Sequence, residues 1–235
     1  MAKQEKRFRS GRHLRKGVFS GLVLAFGLST MALAASSADL PALIERAEKG
    51  EVEAQVILAE KYQKGEGLST NEAEAAKWYR KAAEQGDVEA QSAIGQMYQK
   101  GEGVPKDDVE AAKWYRQAAE KGAVDAQSRM GNMYREGVGV PKDYTQAAQW
   151  YRKAAEQDNA EAQTNLGLLQ ANGWGVPRDY AGAVEWYRKA AEQGDAKAQN
   201  GLGVMYHNGF GVERDDREAN KWFRKAAEGG YYKNQ

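Results

Sequence analysis

Residues 90–122 read Ala90-Gln-Ser-Ala-Ile-Gly-Gln-Met-Tyr-Gln-Lys-Gly-Glu-Gly-Val-Pro-Lys-Asp-Asp-Val-Glu-Ala-Ala-Lys-Trp-Tyr-Arg-Gln-Ala-Ala-Glu-Lys-Gly122. Ala90, Ile94 and Tyr98 fall at i, i+4 and i+8, which sets them on one side of a helix from about Val88 to Gln99. Gly101 and Gly103 stop that helix. Asp107 opens a second one, its side chain able to cap free backbone N–H groups, and Glu110 completes a capping-box pattern. Along this helix Ala111, Trp114, Tyr115, Ala118 and Ala119 form the stripe of a core-facing amphipathic helix, with Lys113, Arg116 and Glu120 left for water. Gly122 stands where a glycine follows a helix C-terminus.

The same unit recurs without insertion or deletion. Ala-Gln appears at Ala54-Gln55, Ala90-Gln91, Ala126-Gln127, Ala162-Gln163 and Ala198-Gln199, always 36 residues apart, and tryptophan keeps the step at Trp78, Trp114, Trp150, Trp186 and Trp222. The cap pattern also repeats, as Asn71/Glu74, Asp143/Gln146 and Asp215/Glu218. A single helix pair cannot cover its own apolar stripe, so the copies must stack on their neighbours. The expected architecture is all-α, an α/α superhelical solenoid of five 36-residue helix-turn-helix repeats over residues 52–235. Residues 35–51 read as an N-terminal capping half-repeat, with Asp39 as its cap and Leu40, Leu43, Ile44 and Ala47 covering the first full copy. At the other end, the face beyond Trp222 and Phe223 is expected to be poorly covered, so loss of Trp222 should cost less than loss of Trp150. Glycine inside the first helix (Gly95, Gly131, Gly167, Gly203) costs about 1 kcal/mol each against alanine. Its recurrence points to close helix approach, with an indole packed where a Cβ would stand.

Residues 1–34 are different in kind. They hold seven bases, an apolar run from Gly17 and the small-residue site Ala32-Leu33-Ala34, the order of a secretory signal peptide cleaved after Ala34 or one residue later. An uncleaved membrane anchor is the rival reading of the same run. The mature chain is therefore expected to be exported, to the periplasm or beyond, touching the membrane only through an uncleaved signal. After residue 34 the chain has 27 basic and 32 acidic residues, so it lacks the cationic excess a nucleic-acid binder uses to neutralise phosphates. With no cysteine, it has no disulfide, thiolate metal site or cysteine nucleophile.

The pattern Ala-x3-Leu-Gly-x2-Tyr-x2-Gly-x-Gly-Val-x2-Asp-x3-Ala-x2-Trp-x3-Ala-Ala-x2-Gly resembles the Sel-one-like repeat family, relatives of tetratricopeptide repeats, over roughly residues 54–230. The third copy carries it in Ala126, Met130, Gly131, Tyr134, Gly137, Gly139, Val140, Asp143, Ala147, Trp150, Ala154 and Ala155. Departures are Gln170 for the tyrosine, Asp158-Asn159 for Gly-Asp, and Leu68-Ser-Thr-Asn71 for Val-Pro-Lys-Asp. The resemblance implies a right-handed α/α superhelix that binds other proteins, as an adaptor in the bacterial envelope or on secreted partners. Some cysteine-rich relatives are linked to β-lactam binding or hydrolysis, which makes a cell-wall or β-lactam-acting hydrolase the alternative function.

Residues that repeat in every copy are explained by the fold, and no catalytic, cofactor or metal set stands out beside them. His207 lies near Glu213, Asp215 and Asp216, but it occupies a variable helix position and the aspartates fall at a helix-cap turn. The Gly-x-Gly stretches follow no strand and lack the lysine-hydroxyl pair of a phosphate loop. The informative positions are those that change along the array. If Ala54, Leu58 and Tyr62 mark the buried side, positions 57, 60 and 64 point away from it at about 100° per residue. Position 60 and its equivalents read Glu60, Gln96, Asn132, Leu168, Val204, and the residue between the turn glycines reads Glu66, Glu102, Val138, Trp174, Phe210. Leu168, Trp174, Val204 and Phe210 are accordingly the expected partner-binding residues, with self-association at the C-terminal end as a competing use of apolar surface.

Overall fold

The computed structural model describes residues 40–231; the stretch read as an export signal and the half-repeat residues 35–39, Asp39 included, lie outside the described residues. Eleven helices and no strand occur among the described residues. The half-repeat is α1 (Leu40–Glu48), and the copies follow as α2 (Val52–Lys64) with α3 (Glu72–Glu84), α4 (Val88–Lys100) with α5 (Asp108–Glu120), and α6 (Val124–Glu136) with α7 (Tyr144–Ala155). The last two are α8 (Ala160–Asn172) with α9 (Tyr180–Glu192), and α10 (Ala196–Asn208) with α11 (Asp216–Glu228). From α2 onward every helix packs on the next, the all-α solenoid that the 36-residue period requires. Leu43 and Ala47 of α1 are buried, and Leu40 and Ile44 are half-buried.

Asp107 caps α5 by accepting hydrogen bonds from the backbone N–H groups of Val109 and Glu110, both at 3.0 Å. The capping box is only half formed, because the Glu110 carboxylate pairs with Lys113 at 2.7 Å. The N–H of Asp107 donates instead to the Tyr98 carbonyl, 3.0 Å away on α4. The bond recurs from Asn71 to Tyr62, Asp143 to Tyr134, Asp179 to Gln170 and Asp215 to Tyr206. One residue thus starts the second helix and ties it back to the first.

The first-helix glycines are explained by a tyrosine rather than an indole. A Cβ on Gly95 would stand 3.1 Å from Tyr115 Cδ1, and one on Gly131 would overlap the Tyr151 ring; Tyr187 and Phe223 take the same place at Gly167 and Gly203. The indole is one residue earlier, about 100° around the helix, and packs back into the preceding copy. Trp150 sits in the cluster of Ala111, Tyr115 and Met130, and Trp222 in that of Ala183, Tyr187 and Leu202. Hence Trp222 is as buried as Trp150, 7% against 8% exposed, and the expectation that it would be the cheaper loss is corrected. Phe223 is the residue left half-buried.

Two devices join one copy to the next. The buried glutamines Gln55, Gln91, Gln127, Gln163 and Gln199 each donate from Nε2 to a carbonyl at the end of the preceding second helix (Ala47, Ala83, Ala119, Ala155, Ala191) at 3.0–3.1 Å. The second turn glycine then sits against the start of the preceding copy's second helix. A Cβ on Gly139, at φ +69°, would overlap the Asp108 carbonyl, and one on Gly175 would stand 2.5 Å from Tyr144 O.

Where most copies end the second helix with a left-handed glycine, the third has Asp158 at φ +62°. Aspartate tolerates that region less well than glycine. In denaturant titrations Asp158→Gly is expected to raise stability by up to about 1 kcal/mol, an unchanged midpoint counting against strain there. Trp150→Ala and Trp222→Ala are each expected to lower stability by about 3–5 kcal/mol, and a clearly smaller loss at Trp222 would contradict the packing described.

Candidate interaction surface

Stacking consumes the recurring residues, so a binding surface has to come from positions that vary. At mid-helix, Asn132 accepts from the Tyr151 hydroxyl at 2.6 Å and donates to Glu161 at 2.9 Å. Leu168, at the next equivalent position, is half-buried against the cluster of Ala183, Val184 and Tyr187 and contributes to the core. Val204 is 39% exposed.

The turn residues present more. Trp174 and Phe210 are 42% and 40% exposed. Trp174 stacks on Tyr144, ring centroids 5.5 Å apart at 25°, and Phe210 stacks on Tyr180 at 4.8 Å and 11°. Tyr144 and Tyr180 are the first residues of α7 and α9, each belonging to the copy before its turn partner. Both aromatics therefore fold back on a neighbouring helix and still keep two-fifths of their surface in solvent. Sequence reasoning missed the tyrosines, although the series Glu72, Asp108, Tyr144, Tyr180, Asp216 turns aromatic in step with the turn residue. Leu168 and Val204 each lie six residues before the turn aromatic, about 9 Å along the helix, so the four expected residues divide between two places.

A groove of about 490 Å³ crosses the first helices, lined by Ser92, Gln96, Tyr115, Asp125, Arg129 and Glu161 among others. Burial pushes the Tyr79, Tyr115 and Tyr187 phenols up to about 12 and raises that of Tyr151 further. They remain protonated near neutrality, and Tyr79, Tyr115 and Tyr151 donate to Gln63, Gln99 and Asn132.

His207 Nδ1 lies 2.9 Å from Asp216 Oδ1, and Arg214 reaches the other oxygen at 2.9 Å. The Arg214 hydrogen bond, followed by that of His207, holds the Asp216 carboxyl below the usual carboxylate range. Asp215 caps α11. Among the described residues no three histidine or carboxylate side chains gather to hold a metal ion, and no helix is long and apolar enough to cross a membrane.

The buried phenols make a pH prediction. A tyrosine whose pKa is raised on folding from about 10 to about 12 contributes stability that is complete below pH 10 and is lost as the pH rises towards 12. Stability should therefore fall over that window, with part of the phenolate absorbance appearing only on unfolding. A full tyrosine titration near pH 10 in a still-folded chain would refute the burial.

The sequence model of the family described as Sel1 repeat matches residues 52–87, 88–122, 124–159, 160–195 and 196–231. Among solved structures, a Sel1 repeat protein from Oxalobacter formigenes is similar at 37% identity and a TM-score of 0.78, over 86% of this chain and 85% of that one. A protective antigen of uropathogenic Escherichia coli strains, displaying an SLR fold, is similar at 42% identity and a TM-score of 0.76 over 80% of this chain. The chain spans 40% of the length of that antigen. No curated protein matches the chain significantly.

Proposed function

This chain belongs to the Sel1 repeat family, whose members bind other proteins, and we propose on that premise that it is an exported protein-binding scaffold of the bacterial envelope or of secreted complexes. The observation that carries this reading is the exposure of Trp174 and Phe210 on a frame whose other described aromatics are buried or half-buried. Exposed apolar clusters on a protein surface often mark interfaces, and aromatic residues are enriched among the residues that carry binding energy there. Val204 on α10 is a separate exposed apolar position, and Leu168 is held in the core. Export is supported by the order of bases, apolar run and Ala32-Leu-Ala34 in residues 1–34. Self-association through α11, where Asn220, Phe223, Arg224 and Ala227 line a shallow hollow, is a second use of exposed surface within the same reading.

The test is recovery of partners from envelope extract by the native protein and by Trp174→Glu with Phe210→Glu. The variant is expected to keep its helical circular dichroism and lose the partners. Unchanged recovery by a folded variant would remove these residues from the interface, and recovery of only a second copy would make the protein a self-assembling one. N-terminal sequencing from the native host is expected to start at Ala35 or Ser36; finding residues 1–34 intact would mean an anchored protein.

A further inference from the structure

Four consecutive turns carry a cation at the same position: Lys106, Lys142, Arg178 and Arg214. In the second and fifth copies it meets a carboxylate at the first residue of the following helix. Lys106 Nζ lies 3.5 Å from Asp108 and Arg214 lies 2.9 Å from Asp216. In the third and fourth copies that first residue is Tyr144 or Tyr180. Lys142 Nζ sits over the Tyr144 ring at 4.9 Å from its centroid and the Arg178 guanidinium over Tyr180 at 5.5 Å. The rings position these cations without neutralising them, and neither makes an ion pair among the described residues. The same two tyrosines stack on exposed Trp174 and Phe210. Two neighbouring copies thus present one composite, a cation and an aromatic pair, twice in a row. After residue 34 the chain has an excess of acids, and Asp143 and Asp179, next in the chain to these two cations, are engaged in capping α7 and α9.

We propose that the edge formed by Lys142, Tyr144, Trp174, Arg178, Tyr180 and Phe210 docks an acidic segment of a partner protein in extended form. Its carboxylates pair with Lys142 and Arg178, and its apolar side chains lie on Trp174 and Phe210. The carboxylate is chosen by the chain itself, since the same turn position is already satisfied by Asp108 and Asp216 one copy away on either side. Lys142 and Arg178 hold equivalent places in neighbouring copies, so a segment that meets both runs along the direction in which the copies stack. The partner segment therefore carries at least two acids, one for each cation. This inference rests on the scaffold reading and gives it a partner chemistry.

The probe is a terminally blocked peptide of repeating Glu-Leu-Gly, with repeating Lys-Leu-Gly as its counterpart, titrated into the full chain. Binding is followed by calorimetry and by tryptophan fluorescence, Trp174 being the exposed indole. The acidic peptide is expected to bind in preference to the basic one, and more weakly as salt rises. Lys142→Glu with Arg178→Glu should weaken it about tenfold or more and favour the basic peptide, while Lys106→Glu leaves binding unchanged. No binding of the acidic peptide, equal binding of both peptides, or indifference to the double charge reversal would overturn the proposal. If envelope partners are lost with Trp174→Glu and Phe210→Glu but kept by the charge-reversed protein, the scaffold reading stands and the acidic partner falls. If envelope extract yields no partner while the peptide binds as described, it is the scaffold reading that fails. Retention on insoluble peptidoglycan, untouched by charge reversal, would instead assign the aromatic edge to a glycan and overturn the acidic segment.

Discussion

From the second copy on, each second turn glycine is pressed against a peptide group at the start of the preceding copy's second helix. At Gly103, Gly139, Gly175 and Gly211 there is no room for a Cβ, the atoms met being backbone of Glu72, Asp108, Tyr144 and Tyr180. Backbone cannot step aside as a flexible side chain can. Turn and helix start are therefore held at a fixed separation, and with them the step from copy to copy. The glutamine bridges depend on that step. A buried amide reaches a carbonyl at 3.0–3.1 Å in all five junctions only if every junction has the same register. The unvarying 36-residue period follows, because one residue more or less would break both contacts at once.

Small departures then act on a rigid frame. The Oε1 atoms of Gln55, Gln127 and Gln163 accept from Gln85, Gln157 and Gln193 at 2.8 Å. Lys121 and Gly229 stand where the fourth and fifth donors would be, and the Oε1 atoms of Gln91 and Gln199 are left buried without a protein partner. Lys121 reaches the Gly86 carbonyl instead, at 2.7 Å. An unpaired buried acceptor costs about 1–3 kcal/mol, so the copies are unequal neighbours although their folds match. Gln170, in place of the usual tyrosine, is a third such case: Arg116 and Arg188 bond a tyrosine hydroxyl one copy on, whereas the Gln170 oxygen has no partner.

The period, the helix pair, the caps and the core stripe were legible because each is written in residue type at fixed spacing. What could not be read was which of two adjacent aromatics faces which neighbour. Trp114 and Tyr115 both belong to the apolar stripe, and only the three-dimensional step decides that the tyrosine covers Gly95 while the indole turns to the preceding copy. The recurring Ala-Gln pair revealed the repeat without revealing the glutamine's bond, since its carbonyl partner is backbone and leaves no mark in the sequence. Of the candidate surface, Trp174 and Phe210 were visible as aromatics in glycine turns. Tyr144 and Tyr180 were not, because their partners lie 30 residues on in the chain, across a junction.

That separation also bears on how such a scaffold acquires specificity. An edge built from the turn of one copy and the helix start of the copy before it exists only where two copies are stacked, so a binding composite requires no residue of the frame itself. Glu72 with Glu102, Asp108 with Val138, Tyr144 with Trp174 and Tyr180 with Phe210 occupy equivalent places along one edge. The first pair is acidic and the last two are aromatic, while the turn cation persists from the second copy to the fifth. Changing the first residue of a second helix from carboxylate to tyrosine therefore does two things together: it removes the cation's counterion and supplies a ring on which the next turn's aromatic can rest. A surface that gains charge and apolar area by the same substitution selects a partner offering both, and the glycine contacts beneath hold the composite in place while its chemistry varies.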